Sequence, residues 1–205
     1  MKKLIALFAV ASTLLLSACS QVGVAATIGS TKITQTQVQA SIDEALKERT
    51  KLDTSGMSLE TGAEFNRNQL RFHVIASLLG QIAADAKLSV TKAEIDARRA
   101  DIVQQIGGED KLAAALVGAS IAPGDFLKYI ELILNSEKVG ASIQAAGTSA
   151  EQTSAAIQKL IIAKGAALKV TVNPRYGKWD VATGDIIASD AAGPAATPAA
   201  TVPTK

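Results

Sequence analysis

The sequence predicts a mainly α-helical domain of about six helices, closed by short β-strands at its amino- and carboxyl-terminal ends. Apolar residues recur at helical spacing over six segments between residues 35 and 167. Short β-branched stretches precede and follow these segments, at residues 24–33 and 168–172. Aromatic residues make up only 3% of the chain, so the core is expected to consist mainly of Ala, Leu, Ile and Val.

The strands at the two ends are predicted to meet. Val24–Ile28 is apolar, Gly29 and Ser30 form a turn signal, and residues 31–33 continue as a second strand, which together indicate a hairpin. A lone two-stranded hairpin is only marginally stable in water. Residues 168–172 alternate apolar and polar side chains, as a strand with one buried face does. We therefore expect residues 170–172 to pair with Val24–Ile28.

Several helix ends carry local signals. Three predicted starts have a Ser or Thr followed three residues later by Glu or Gln, the pattern of a capping box: Thr34 with Gln37, Thr91 with Glu94, and Ser149 with Gln152. Pro123 fits the first turn of the fifth helix, and Gly107 with Gly108 ends the third. The predicted helices cover about residues 35–49, 63–86, 91–106, 110–119, 123–139 and 149–167.

The first 18 residues have the pattern of a secretory signal. Lys2 and Lys3 precede an apolar run from residue 4 to residue 16, which is too short to span a bilayer. Residues 16–19, Leu-Ser-Ala-Cys, resemble the bacterial lipobox, and Cys19 is the only cysteine of the chain. That resemblance implies cleavage after Ala18 and lipidation of Cys19 by a diacylglycerol thioether and an N-acyl group. Residues 19–23 would then be a lipidated tether at the extracytoplasmic face of a cell membrane.

The rest of the chain divides into a domain at residues 24–180 and an Ala/Pro/Thr-rich tail at residues 181–205, predicted to be disordered. Removal of residues 1–18 takes away two lysines and leaves acidic and basic residues in equal number. The mature chain therefore lacks the strong basic field of a nucleic-acid-binding protein. With a single cysteine, it is expected to fold without an internal disulfide.

Few residues point to catalysis or metal binding. His73 is the only histidine, and on a helical wheel it lies opposite Ile75 and Leu79, so it is predicted to be a solvated surface residue. A lone histidine does not supply the common zinc sites, and no cofactor is expected. Residues 175–179 mix basic and aromatic side chains that could stack on a ligand. Their alternative role, which we favour, is a closing turn that holds the last strand against the body.

Four stretches resemble the amino-terminal domain of SurA- and PrsA-type extracytoplasmic chaperones. They are VAATIGSTKIT at residues 24–34, VTKAEI at 90–95, IAPGDFL at 121–127 and VNPRYG at 172–177. In larger relatives a parvulin-type prolyl isomerase domain is inserted before the last helix and strand. Here only residues 140–148 separate the fifth and sixth predicted helices, so the resemblance implies a short form without that domain.

What the resemblance implies is a membrane-anchored chaperone of about residues 24–180 that binds unfolded or newly exported polypeptides and is not an enzyme. The expected binding surface is apolar positions of the second and fifth helices left uncovered, or a groove beside the loop that holds Met57. Two alternatives remain open. One is a structural or partner-binding envelope lipoprotein of the same fold; the other is a weak peptidyl-prolyl isomerase.

Overall fold

The computed structural model describes residues 22–189, and in this range the chain is mainly helical with short strands near both ends, which confirms the predicted fold class. The helices are α1 (Gln35–Arg49), α2 (Gly62–Asp85), α3 (Lys92–Gln105), α4 (Leu112–Gly118), α5 (Phe126–Ala145) and α6 (Ala150–Ala167). The strands are β1 (Val24–Ile28), β2 (Thr31–Thr34), β3 (Thr171–Val172), β4 (Lys178–Asp180) and β5 (Asp185–Ile187). Short 3₁₀ turns precede α4 and α5, at Glu109–Lys111 and Pro123–Asp125.

The two ends of the domain are joined in one antiparallel sheet of order β2-β1-β3. Val172 lies opposite Ala26 and Thr171 opposite Thr27, whose hydroxyl groups are 2.5 Å apart. The backbone N–H of Asn173 extends the pairing by donating to the carbonyl oxygen of Ala25 at 2.8 Å. The predicted pairing of residues 170–172 with the first strand is therefore confirmed.

Of the three predicted capping boxes, the one at Thr91 forms completely and the one at Thr34 forms only in part. The Thr34 hydroxyl accepts a hydrogen bond from the backbone N–H of Gln37 at 3.1 Å, and Thr91 with Glu94 forms a complete capping box. The third prediction was wrong, because the Ser149 side chain makes no capping hydrogen bond. There the turn is closed instead on the backbone carbonyl of Ser149, which accepts from the N–H of Gln152 and from the hydroxyl of Thr153.

Helix α2 is the central element of the fold. It packs against α1, α5, α6, β1 and β5, and no charged residue occurs between Phe72 and Ala84. The main core around it is aliphatic, with Phe65 as its largest fully buried side chain. A smaller second core is formed by Leu116, Phe126, Ile130 and Leu134. Helix α3 covers this second core with half-buried side chains and contributes no fully buried residue.

The predicted boundary at residue 180 was wrong, because the folded structure continues through β5. Strand β5 pairs with β4, and Ile186, buried in the core, lies opposite Trp179. The Asp180 carboxylate closes the turn between them by accepting from the N–H of Ala182 at 2.9 Å and from the hydroxyl of Thr183 at 2.8 Å. Strand β5 was not predicted from the sequence because it has only three residues, follows a polar turn and is followed by low-complexity sequence.

The aromatic residues of the closing segment pack into the body. Tyr176 is buried in the core, and Trp179 lies against Gly165 of α6 so closely that a Cβ atom there would come within 2.7 Å of the indole ring. These contacts favour the predicted role of residues 175–179 as a closing turn over a ligand-stacking platform. The segment thereby fixes the position of α6 against the sheet.

Candidate functional site

An apolar cleft lies between the carboxyl-terminal end of α2, the second half of α5, and α6. Its volume is about 480 Å³. Its apolar walls are formed by Ile82, Ala86, Leu88, Val139, Ile143, Leu160, Ala163 and Ala167. We call this surface the apolar cleft.

Chain geometry explains why the apolar cleft stays open. α2 ends at Asp85 and α5 continues to Ala145, while α6 returns along α5 with Thr153 and Ile157 packed on Gly140. The side chains of Ile82 and Val139 lie at the base and are almost fully buried. Leu160 lies at the edge and keeps 38% of its surface exposed. Within residues 22–189, this aliphatic surface is therefore left without a covering element.

A charged pair crosses one edge of the apolar cleft. Lys164 of α6 donates to the carboxylate of Asp85, at the end of α2. Because the Asp85 side chain is 65% exposed, this pair contributes little to stability. The Lys164 ammonium also lies near the carboxyl-terminal end of α6, where the helix dipole favours a positive charge. The rim is therefore polar and the walls are apolar.

The arrangement suits binding of apolar side chains with little sequence selectivity. Aliphatic walls provide non-directional contacts, whereas precisely placed polar groups are what fix the orientation of a specific ligand. The predicted binding surface on the second and fifth helices coincides in part with this cleft. Helix α6 also contributes, through Leu160 and Lys164, and it was not part of the predicted surface.

The loop that holds Met57 offers a different surface. Arg49 fixes this loop by donating to the carbonyl oxygen of Glu60 at 2.7 Å, with its guanidinium 4.3 Å from the centre of the Phe65 ring. The cleft beside the loop has a volume of about 200 Å³ and is lined largely by polar residues, including Asn68 and Asp125. It is therefore a poorer match than the apolar cleft for an unfolded apolar segment.

His73 was predicted at the surface, and that prediction was wrong: its side chain is buried, with 1% exposure. A helical wheel predicts one buried face for α2, but other elements, including α1 and α5, pack on both sides of this helix. Gln69, one turn earlier, is also buried and donates to the carbonyl oxygen of Ser120 at 2.9 Å. The charge-free run over residues 72–84 was the available sequence signal for a helix covered all round.

His73 links two opposite charges through a chain of hydrogen bonds, which we call the His73 relay. Lys128 Nζ donates to His73 Nδ1 at 2.9 Å, so that nitrogen is the acceptor and Nε2 carries the proton. Nε2 in turn lies 2.9 Å from Ser41 Oγ, which donates to the Asp125 carboxylate at 2.5 Å. The four residues come from α1, α2, α5 and the turn before α5.

The pKa of His73 is lowered to about 4, mainly by burial and in addition by the Lys128 ammonium, while the Asp125 carboxylate opposes the shift. Burial also lowers the pKa of Lys128. The imidazole is therefore neutral near pH 7. The geometry differs from a Ser-His-Asp triad, in which the acid and the nucleophile bind opposite ring nitrogens. Here Ser41 and Asp125 lie on the same side of the ring, and Ser41 is itself buried.

The remaining predicted site residue, Cys19, lies outside the described residues, as do residues 1–18, most of the tether and residues 190–205. Within residues 22–189 no helix is long and apolar enough to cross a membrane. In the same range no group of three or more His, Cys, Asp or Glu side chains is placed to hold a metal ion.

In comparisons with known proteins, no family model, no curated protein and no solved structure matches the chain.

Proposed function

We propose that this protein is a membrane-anchored extracytoplasmic chaperone that holds apolar segments of unfolded or newly exported polypeptides in the apolar cleft. The observation that carries the proposal is the cleft itself, an aliphatic surface of about 480 Å³ between three helices with a polar rim. Exposed apolar surface bordered by polar residues is typical of sites that bind other proteins. The resemblance of residues 24–177 to SurA- and PrsA-type domains supports the same function.

The size of the cleft supports weak and reversible binding. Full burial of one Leu, Ile or Phe side chain contributes about 1.5–3 kcal/mol, and the cleft has room for one or two such side chains. Part of this gain is offset by ordering the unfolded segment. A single cleft would thus release its client readily, which a chaperone that does not use nucleotide energy requires.

An aggregation assay tests the proposal. The soluble chain from residue 20 to residue 205, in severalfold molar excess, is expected to suppress the light scattering of a chemically denatured test protein. Leu160→Lys places a charge at the edge of the apolar cleft and is expected to remove most of this suppression.

Leu127→Lys is the matched control, because Leu127 is an exposed leucine, 52% accessible, on α5 but outside the apolar cleft. This variant is expected to keep the activity of the wild type. No suppression by the wild-type chain, or equal loss in both variants, would contradict the proposal.

The membrane anchor is tested separately. Two acyl signals hold a protein stably at a bilayer, whereas one gives marginal binding. Cys19→Ser removes the proposed lipidation site, so the cleaved protein is expected in the soluble fraction after cell lysis, with an unchanged circular dichroism spectrum. Retention of the cleaved variant in the membrane fraction would show that another element anchors the chain.

A further inference from the structure

A second cleft lies between α2, α5 and β2, with a volume of about 280 Å³. It is separate from the apolar cleft, with which it shares no lining residue. Residues one turn apart on the two helices line it along its length: His73, Ser77 and Gly80 on α2, and Lys128, Leu132 and Asn135 on α5. Thr31, Lys32 and Ile33 of β2 lie across it.

The side chain of Asn135 is largely buried, and its amide is unpaired within residues 22–189. Its side chain is 6% exposed, and among the residues that the structure describes no group forms a hydrogen bond with the amide. The Asn135 amide is not fully enclosed, and it lines this cleft. The vacant hydrogen-bonding positions therefore face the cleft.

Lys128 provides a cation at the other end. Its ammonium has three N–H groups, and one donates to His73 Nδ1 at 2.9 Å. No hydrogen bond among residues 22–189 uses the other two. Lys32 adds a second positive charge at the cleft and Glu131 one negative charge, so the lining has a net charge of one positive unit with His73 neutral. The Asp125 carboxylate also acts on the Lys128 ammonium, so the attraction for an anionic group comes from the two remaining N–H groups of Lys128 and not from a net charge.

The distance between Lys128 and Asn135 determines how long a ligand must be to contact both residues. Lys128 and Asn135 are seven residues apart on α5, which corresponds to about 10 Å along the helix axis. The wall between them is apolar, formed by Leu132 of α5 and Ile33 of β2. Two extended residues span about 7 Å, and an acyl group before them brings the length to about 10 Å. An N-acylated dipeptide with a terminal carboxylate therefore spans this distance, with an apolar side chain between its two polar ends.

We propose that the cleft between α2, α5 and β2 binds a carboxylate-terminated ligand of about dipeptide length, with the carboxylate on Lys128 and an amide group on Asn135. The ligand is either a small free acyl-peptide or the carboxyl terminus of a polypeptide. The site is distinct from the apolar cleft, so the proposal of this site does not depend on the proposed chaperone activity.

The single histidine makes the test direct, because His73 touches Lys128 and gives one imidazole signal in an NMR spectrum. The probe is N-acetyl-alanyl-leucine, added to the soluble chain of residues 20–205 at pH 7. We expect a saturable shift of the His73 signal. Its carboxamide analogue should bind at least about tenfold more weakly, because it loses a charge-assisted hydrogen bond.

Two variants and one longer peptide complete the test. Lys128→Met should remove the preference for the acid, and Asn135→Ala, which deletes an amide that bonds to nothing in the described structure, should weaken both probes without unfolding the chain. A decapeptide with the same two carboxyl-terminal residues distinguishes the sources: equal binding indicates a polypeptide terminus, and exclusion a small free ligand. Equal affinity for acid and amide, or no saturable shift from either acid probe, would overturn the proposal.

Discussion

Removal of residues 181–205 is expected to lower the free energy of unfolding by about 3 kcal/mol, the order of cost for deleting a buried isoleucine side chain. The truncation removes β5, including Ile186, which is 4% exposed in the core. It also removes Gly184, which packs against Ile162 of α6, and leaves β4 without its strand partner. The exposed ion pair of Arg71 with Asp185 is lost as well, but it contributes little.

Urea denaturation followed by fluorescence of Trp179, the only tryptophan, measures this effect. In the truncated chain the indole loses its cross-strand neighbour Ile186, so its native emission should also shift to longer wavelength. The matched control ends at Ser189 and is expected to unfold at the wild-type urea concentration. Equal stability of the two truncated chains would show that β5 is not part of the cooperative fold.

Acidification from pH 7 to pH 5 is expected to lower the free energy of unfolding by about 2 kcal/mol through the titration of His73 alone. The slope of this dependence is at most about 1.4 kcal/mol per pH unit. The native pKa is lowered to about 4 from an ordinary value of 6.5. Between these values the unfolded chain binds a proton that the folded chain excludes. The contribution is therefore complete above about pH 7 and is lost as the pH falls towards 4.

The range from pH 7 to pH 5 separates the titration of His73 from that of the carboxylates. The carboxylates with lowered pKa, such as Glu94 at about 2, lose their stabilising contribution only at lower pH, near the unfolded carboxylate value and below it. His73→Gln can still donate to Ser41 but does not titrate, so its urea midpoint should vary little from pH 7 to pH 5. A steep dependence that persists in this variant, or an NMR pKa of His73 near 6.5, would contradict the described relay.

The sequence was sufficient for elements whose signal is local. The Thr34 and Thr91 caps depend on residues three positions apart, and both helices begin where those caps predict. The pairing of β1 with β3 joins residues about 145 apart, yet it followed from a simple requirement. A marginal hairpin needs a third strand, and the chain offers one apolar alternating segment at its other end.

Features that depend on contacts between residues distant in sequence were not predicted. A helical wheel shows the periodicity of α2 but not that α1 and α5 cover its polar side, so the buried position of His73 was not apparent. Ser41 and His73 meet Asp125 and Lys128 only through the fold, because these residues come from three separate parts of the sequence. The apolar cleft was foreseen only in part for the same reason: an apolar stripe does not reveal which of its residues another helix leaves uncovered.

The central claim, that an unfolded polypeptide occupies the apolar cleft, is tested most directly by site-specific photo-crosslinking. Ala163→p-benzoylphenylalanine places the probe at an exposed position of α6 that lines the cleft. Ser154→p-benzoylphenylalanine places it at an exposed position nine residues earlier, on the opposite side of the same helix. With a denatured client, we predict crosslinks from position 163 and few from position 154. Equal crosslinking from both positions, or none from position 163 while aggregation is suppressed, would contradict the claim.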